Sequence, residues 1–116
     1  MSTPLPFTIS PEAINHLSAR MHPPGTDEEL ALITVCAQGD LVDGREVVWI
    51  NEEQFMLCTY RIGQRPHAQH VELLGQKVSI VESTLDALRG RTLTVKRVIE
   101  RRGWFTRITR EVLVAA

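Results

Sequence analysis

The stretch that most constrains this chain is Gly75–Gly90, Gly-Gln-Lys-Val-Ser-Ile-Val-Glu-Ser-Thr-Leu-Asp-Ala-Leu-Arg-Gly. Gly75 marks a turn, and Lys77–Val81 carries β-branched residues suited to a short strand. One or two helical turns follow near Ser83–Arg89, and Gly90 suits the left-handed position just past a helix end. Ser83 and Thr84, ahead of Asp86, read as a helix cap rather than as nucleophiles. A strand feeding directly into a short helix and a glycine stop suits a compact domain in which sheet and helix share one core.

The segments on either side agree. Phe7-Thr8-Ile9 is a strand candidate. Ser10 reads as an N-cap, with Pro11 at the first helical position and Glu12 in the first turn. Ala13, Ile14, Leu17 and Met21 fall on one helical face, leaving Asn15, His16 and Arg20 outside it. Pro23-Pro24-Gly25 ends the helix. Leu30–Ala37 is apolar on both parities and predicts a central strand buried on both faces. Gln38–Gly44 reads as a connection whose Asp43-Gly44 pair signals a hairpin turn. Strands follow at Arg45–Ile50, Phe55–Ile62 and Val71–Leu74, with polar connections at Asn51–Gln54 and Gly63–Gln69. In Phe55–Ile62, Phe55, Leu57 and Thr59 share one face, and Met56, Cys58 and Tyr60 the other. Thr92–Ile99 alternates apolar and polar. Glu100–Gly103 reads as a turn, and Trp104–Leu113 as a last strand in one or two pieces. The sum is an α+β domain of about seven or eight strands with a long N-terminal helix and a short second one, and helices that do not alternate with strands.

Composition narrows the function classes. The chain has 116 residues, 43% hydrophobic and 23% charged, which fits one globular domain spanning 1–116. A net charge of −1 gives no global attraction to nucleic acid or membrane. The opening Met-Ser-Thr-Pro-Leu-Pro lacks the basic and apolar regions of a signal peptide. No apolar run approaches the roughly 20 residues of a spanning helix. The expectation is a cytoplasmic protein without membrane contact, its two cysteines consistent with a reducing compartment.

Two pieces resemble the HesB-like domains, the A-type iron–sulfur biogenesis family. Phe7-Thr8-Ile9-Ser10-Pro11-Glu12-Ala13 is similar to that family's opening strand and helix start. Gly75, Lys77-Val78, Leu85, Leu88 and Gly90 fall at spacings similar to its glycine, short strand, paired-leucine turn and second glycine, before the Leu93–Val98 strand. The resemblance covers about half of the chain. It implies a pseudobarrel, a mixed sheet folded on itself with helices outside, and a homodimer-like carrier of iron or an iron–sulfur cluster. The family's cysteine chemistry is not matched. Its carriers place one cysteine in a Gly-Cys-Ser-Gly-like loop and a Cys-Gly-Cys pair near the C-terminus. Here Cys36 follows Val35 rather than glycine, and Arg110–Ala116 contains no cysteine. The acidic residue expected after the short strand is replaced by Val81 or displaced to Glu82. The resemblance therefore implies a family-like fold with an incomplete ligand set, acting as a binding or interaction module with no cofactor expected, iron or a cluster remaining the alternative.

Candidate sites stand beside plainer readings. Cys36 and Cys58 could be a thiolate pair, but a cluster normally needs about four such ligands, and two small buried hydrophobes is the plainer reading. His67 and His70 lie three apart and, with Cys36, form a candidate iron or zinc site. Against this, Pro66 argues for a loop with exposed imidazoles, and His16 and His22 read as surface residues. The C-terminal third holds Arg89, Arg91, Lys96, Arg97, Arg101, Arg102, Arg107 and Arg110, with Glu100 the one acid between 89 and 110. If Lys96, Arg107 and Arg110 share a face, they form a basic patch. Arg101, Arg102, Trp104 and Arg107 would then be the candidate partner-binding residues, with Phe105 beside them for stacking. The partner would be nucleic acid or an acidic protein, and the net charge disfavours nucleic acid without excluding it. A protein partner or a second copy of the chain is equally open. No nucleophile elbow, phosphate loop, dinucleotide fingerprint or His-Glu-x-x-His motif is present, so nothing in the sequence points to an enzyme.

Overall fold

The computed structural model describes residues 5–42, 44–102 and 106–116, giving the backbone alone at 40, 42, 49, 99–102 and 106–108. The order is β1 (Thr8–Ile9), α1 (Pro11–Ser18), β2 (Glu28–Val35), β3 (Gln38–Val42), β4 (Arg45–Ile50) and β5 (Gln54–Arg61). Then come β6 (Gln69–Leu73), β7 (Gln76–Ile80), α2 (Glu82–Leu88), β8 (Thr92–Arg102) and β9 (Thr106–Ala115). The fold is α+β. Seven strands form one mixed sheet in the order β1-β8-β9-β5-β2-β7-β6, and β3-β4 form a separate two-stranded ribbon. β1 runs parallel to β8 and β2 parallel to β7, while the other ladders are antiparallel.

β2 is interior to the sheet, as its apolar residues on both parities require. Leu30, Ala31 and Leu32 are all buried. Leu30, Leu32, Phe55, Val71, Leu73, Val78 and Ile80 join Leu17, Leu85 and Leu88 of the two helices in one core. α1 begins as its sequence demands: Ser10 Oγ accepts from Ala13 N at 3.1 Å, and Pro11 fills the first turn. The buried face of α1 differs from the periodicity. His16 is buried and Ile14 is 38% exposed. The helix lies along β8, and its face centres on Ala13 and Leu17, which turns position 16 inward and 14 outward.

α2 carries the chain from β7 across to β8, on the far side of three intervening strands. Its N-cap is Val81, with no side-chain hydrogen bond, so Ser83 and Thr84 do not cap it. Thr84 is instead buried inside the helix and shares a 2.8 Å hydroxyl bond with Thr34 of β2. Gly90 takes φ +72°, the left-handed stop expected of it. Gly75 takes φ +80° beside Leu74 at φ +50°, closing the β6–β7 hairpin with a two-residue turn. Leucine is a costly choice at positive φ, because its Cβ crowds the following carbonyl.

The Gln38–Gly44 connection is itself mostly strand. Val42 pairs with Arg45, so the hairpin turn falls at 43–44 as predicted, but the ladder runs back to Gln38. A Cβ at Gly39 would run into the Val47 carbonyl oxygen, which explains the glycine inside this strand. Gln54 anchors the ribbon to the sheet. Fully buried, it donates to the Ile50 and Glu52 carbonyls at 2.8 and 3.0 Å and accepts from Gln38 Nε2 at 2.7 Å. The Glu100–Gly103 turn begins later than predicted: β8 continues to Arg102, β9 is one continuous strand from Thr106, and residues 103–105 lie outside the described residues.

Candidate binding cleft

Directly paired residues point to the same side of a sheet, so the register defines two faces. On one, Leu30, Val78 and Val71 form a buried rung of the core. On the other, Cys58, Ala31, Ser79 and His70 form a rung running from β5 to β6. One step along, Tyr60 pairs with Glu29, and Lys77 pairs with Glu72. Toward β6 and β7 this second face is polar, whereas farther along β2 and β5 it carries Ile33 opposite Met56. Cys58 is thus half-buried on the face away from the core, not core-facing, and burial pushes its thiol up.

The connection between β5 and β6 folds against this face. Ile62 N donates to Asp27 O at 2.9 Å, which extends the β2–β5 ladder by a rung. A tight turn, Gln64 N to Arg61 O at 3.0 Å, is reinforced by Gln64 Oε1 accepting from Arg61 N at 3.2 Å. A second turn, Ala68 N to Arg65 O at 3.1 Å, completes the loop. Between them Arg65 is half-buried, with its guanidinium carbon 4.8 Å from the Tyr60 ring centroid. This cation–π contact contributes about 0.5–1 kcal/mol. No carboxylate lies within ion-pair distance of Arg65 among the described residues, and its Nη1 is buried without a hydrogen-bond partner.

A cleft of about 390 Å³ opens between this loop and the sheet. Pro24, Ile62 and Pro66 supply apolar wall, and Glu28, Glu29, Arg65, His70 and Lys77 supply charge and hydrogen-bonding capacity. At its floor His70 Nε2 donates to Glu29 Oε2 at 2.8 Å. His70 and Lys77 also line an adjoining groove of about 420 Å³ along β6, with Val71, Glu72 and Gly75. Ser79 stands opposite His70 across the β6–β7 ladder. It is fully buried, and its hydroxyl has no hydrogen-bond partner. A carboxylate, an imidazole and a hydroxyl thus share a face without a relay connecting them. The arrangement offers two cations, an oriented imidazole and an apolar wall: equipment for holding a small polar molecule.

The sequence-derived candidates are dispersed. His70 is in the cleft, whereas His67 and His22 are exposed. Cys36 is exposed rather than buried and stands one residue past β2, about 16 Å along the strand from the Ala31 rung that carries His70. Cys58 is three strand spacings from His70, about 14 Å. No group of three or more His, Cys, Asp or Glu suited to a metal ion occurs among the described residues. His16, expected on the surface, is buried 3.5 Å from Glu111 Oε2. Burial and then the nearby Arg20 charge push its pKa below the ordinary 6.5, against the opposing pull of Glu111.

The basic C-terminal third is extensively paired. Arg89 bonds Glu82 and Asp86 at 3.1 and 3.2 Å, Lys96 bonds Glu52 at 2.8 Å, and Arg97 bonds Glu111 at 3.1 Å. Arg91 donates to the Ala115 carbonyl at 3.0 Å. The ladder sets Lys96 opposite Val112 and Arg110 opposite Val98, one parity of the hairpin, while Arg107 pairs with Arg101 on the other. By register, Lys96 and Arg110 therefore share one parity and Arg107 falls on the other. The side chains of Arg101, Arg102 and Arg107, and all of Trp104 and Phe105, lie outside the described residues.

Glu29, Arg65 and Lys77 were not singled out by sequence reasoning. The one available signal was local: an arginine beside a proline in a polar loop, following a strand that carries Tyr60 next to its last residue. Compared with known proteins, the chain matches no family model, and neither a curated protein nor a solved structure is significantly similar to it. No helix among the described residues is long and apolar enough to cross a membrane.

Proposed function

We propose that the chain is a HesB-like domain that does not ligate a cluster and serves as a binding module rather than a catalyst, with the cleft under the Ile62–Pro66 loop as its binding surface. The observation that carries this reading is Arg65: a half-buried cation held over Tyr60, lining a cleft and lacking any acidic partner among the described residues. A buried guanidinium nitrogen without an acceptor is costly for stability alone, and a ligand oxygen offsets that cost. The HesB-like part of the reading is supported by the pairing of β1 with β8. It sets the opening strand beside the strand that follows Gly90, so the two family-like segments are hydrogen-bonded neighbours. The absence of ligation is supported by the separation of Cys36 from Cys58.

Anaerobic reconstitution with iron and sulfide tests the cluster part. The expected outcome is no stoichiometric visible absorption. A stoichiometric cluster that disappears in Cys36→Ser overturns it. Amide chemical shifts tested against a panel of small fragments address the binding part, with movements expected to concentrate at Ile62–His70 and Lys77. Shifts that avoid those amides refute the cleft.

A further inference from the structure

We infer that the cleft takes a carboxylate carrying an apolar arm, gripped by Arg65 and Lys77; this rests on the reading of the cleft as a binding surface. Among the described residues, neither Arg65 nor Lys77 has a carboxylate within ion-pair distance, whereas Glu29 is already held by His70 at 2.8 Å. Arg65 Nη1 is moreover buried with no hydrogen-bond partner among the described residues, so an acceptor from a ligand has a place there. A carboxylate provides that acceptor with one negative charge, while a phosphate dianion brings a second charge close to Glu28 and Glu29 and is repelled.

Geometry favours the same group. The Arg65 guanidinium sits over the Tyr60 ring, and its planar fork is matched by the two oxygens of a carboxylate. Lys77, on the neighbouring β7, adds a point charge from a long flexible stem. Ile62 is 60% exposed and, with Pro24 and Pro66, gives an aliphatic wall with nothing packed on it. The volume of about 390 Å³ accommodates a short chain behind the headgroup. The carboxylate could belong to a free small acid or to the C-terminus of a peptide lying along the adjoining β6 groove, since both present the same group.

Amide shift titrations of the whole chain decide the matter, using hexanoate, hexanamide, inorganic phosphate and a pentapeptide ending in valine with a free carboxylate. The inference expects saturable shifts at Ile62–His70 and Lys77 with hexanoate or the peptide, at least about tenfold weaker with hexanamide and phosphate. The tighter of the two carboxylates identifies the source. Arg65→Gln and Lys77→Gln, each confirmed folded by an unchanged spectrum elsewhere, are expected to weaken binding about tenfold. Arg65→Lys keeps the charge, loses the fork, and should fall between Arg65→Gln and the natural residue. Hexanamide binding as tightly as hexanoate, phosphate binding more tightly, or affinity indifferent to Arg65→Gln each overturns the carboxylate while leaving the binding surface standing. If none of the four probes moves the cleft amides but other fragments do, the carboxylate alone falls. If no fragment moves them, both readings fall.

Discussion

Val78 and Ser79 are neighbours on one strand, both completely buried, and they belong to opposite sides of the sheet. Val78 stands between Leu30 and Val71 in a core closed over by both helices. Ser79 stands between Ala31 and His70, on a face with a carboxylate–imidazole pair, an arginine without an acid, and a hydroxyl without a partner. The contrast separates burial from optimisation. The core face is mainly apolar and matches its buried Thr84 hydroxyl with Thr34, while the other face buries polar atoms and leaves some unmatched among the described residues, as expected of a surface shaped for something else.

The sharpest way to test that division is to remove one large side chain from the core. Phe55→Ala is expected to cost about 3–5 kcal/mol in denaturant unfolding, because Phe55 is 1% exposed and packed within the central cluster. Next come the two neighbours. Val78→Ala should cost about 2 kcal/mol, whereas Ser79→Ala should lie within about 1 kcal/mol of the natural chain, on the stabilising side, since it removes a buried hydroxyl that has no partner. Equal losses from the two substitutions would break the comparison.

A pH series probes the margin of the core face, where His16 is buried. Its folded pKa lies below the unfolded 6.5, because burial and Arg20 disfavour the imidazolium. The unfolded chain then binds more protons between the folded pKa and 6.5, so stability falls as pH drops below 6.5 and is level above it. Glu111, held below its ordinary 4.5 first by its hydrogen bond to His16, stays ionised through that window. A lower melting temperature at pH 5.5 than at pH 7.5, with the difference reduced in His16→Gln, is the expected outcome. A slope unchanged by His16→Gln removes this role. The smallest effect belongs to the exposed hairpin. Arg97, 71% exposed and paired with Glu111, should contribute under about 0.5 kcal/mol when replaced by alanine.

Much of the fold was legible because short-range rules governed it. The Ser10-Pro11 helix start, the turn ending in Gly44, the interior position of Leu30–Leu32 and the left-handed Gly90 all follow from residue chemistry acting over a few positions. The misreadings share another cause. His16 is inward and Ile14 outward because β8 sets the angle at which α1 packs, and periodicity alone carries no information about that angle. β3 was hidden because Gly39 looks like a turn residue until the Val47 carbonyl is seen to occupy the place of a Cβ. The cleft was the least legible part. Glu29, Arg65, His70 and Lys77 come from three strands and a loop, and only the register brings them together. Of these, His70 alone attracted notice, and the metal partner proposed for it, Cys36, lies at the other end of β2.

The register around Gln54 has one more consequence. Val35 and Gln54 are directly opposite each other, so the chain leaves the sheet and returns to it at a single rung, with the whole β3–β4 ribbon as an excursion between. Such a junction is a natural site for gain or loss of sequence: the ribbon can be lengthened, exchanged or replaced by a tight turn without changing the neighbour of any sheet strand. The constraint is the amide at the junction. Remove the ribbon, and Gln54 loses its contacts with Gln38, Ile50 and Glu52 at once. A shortened chain would therefore need an apolar residue there, and a relative carrying the same sheet without the ribbon should reveal itself by that one substitution.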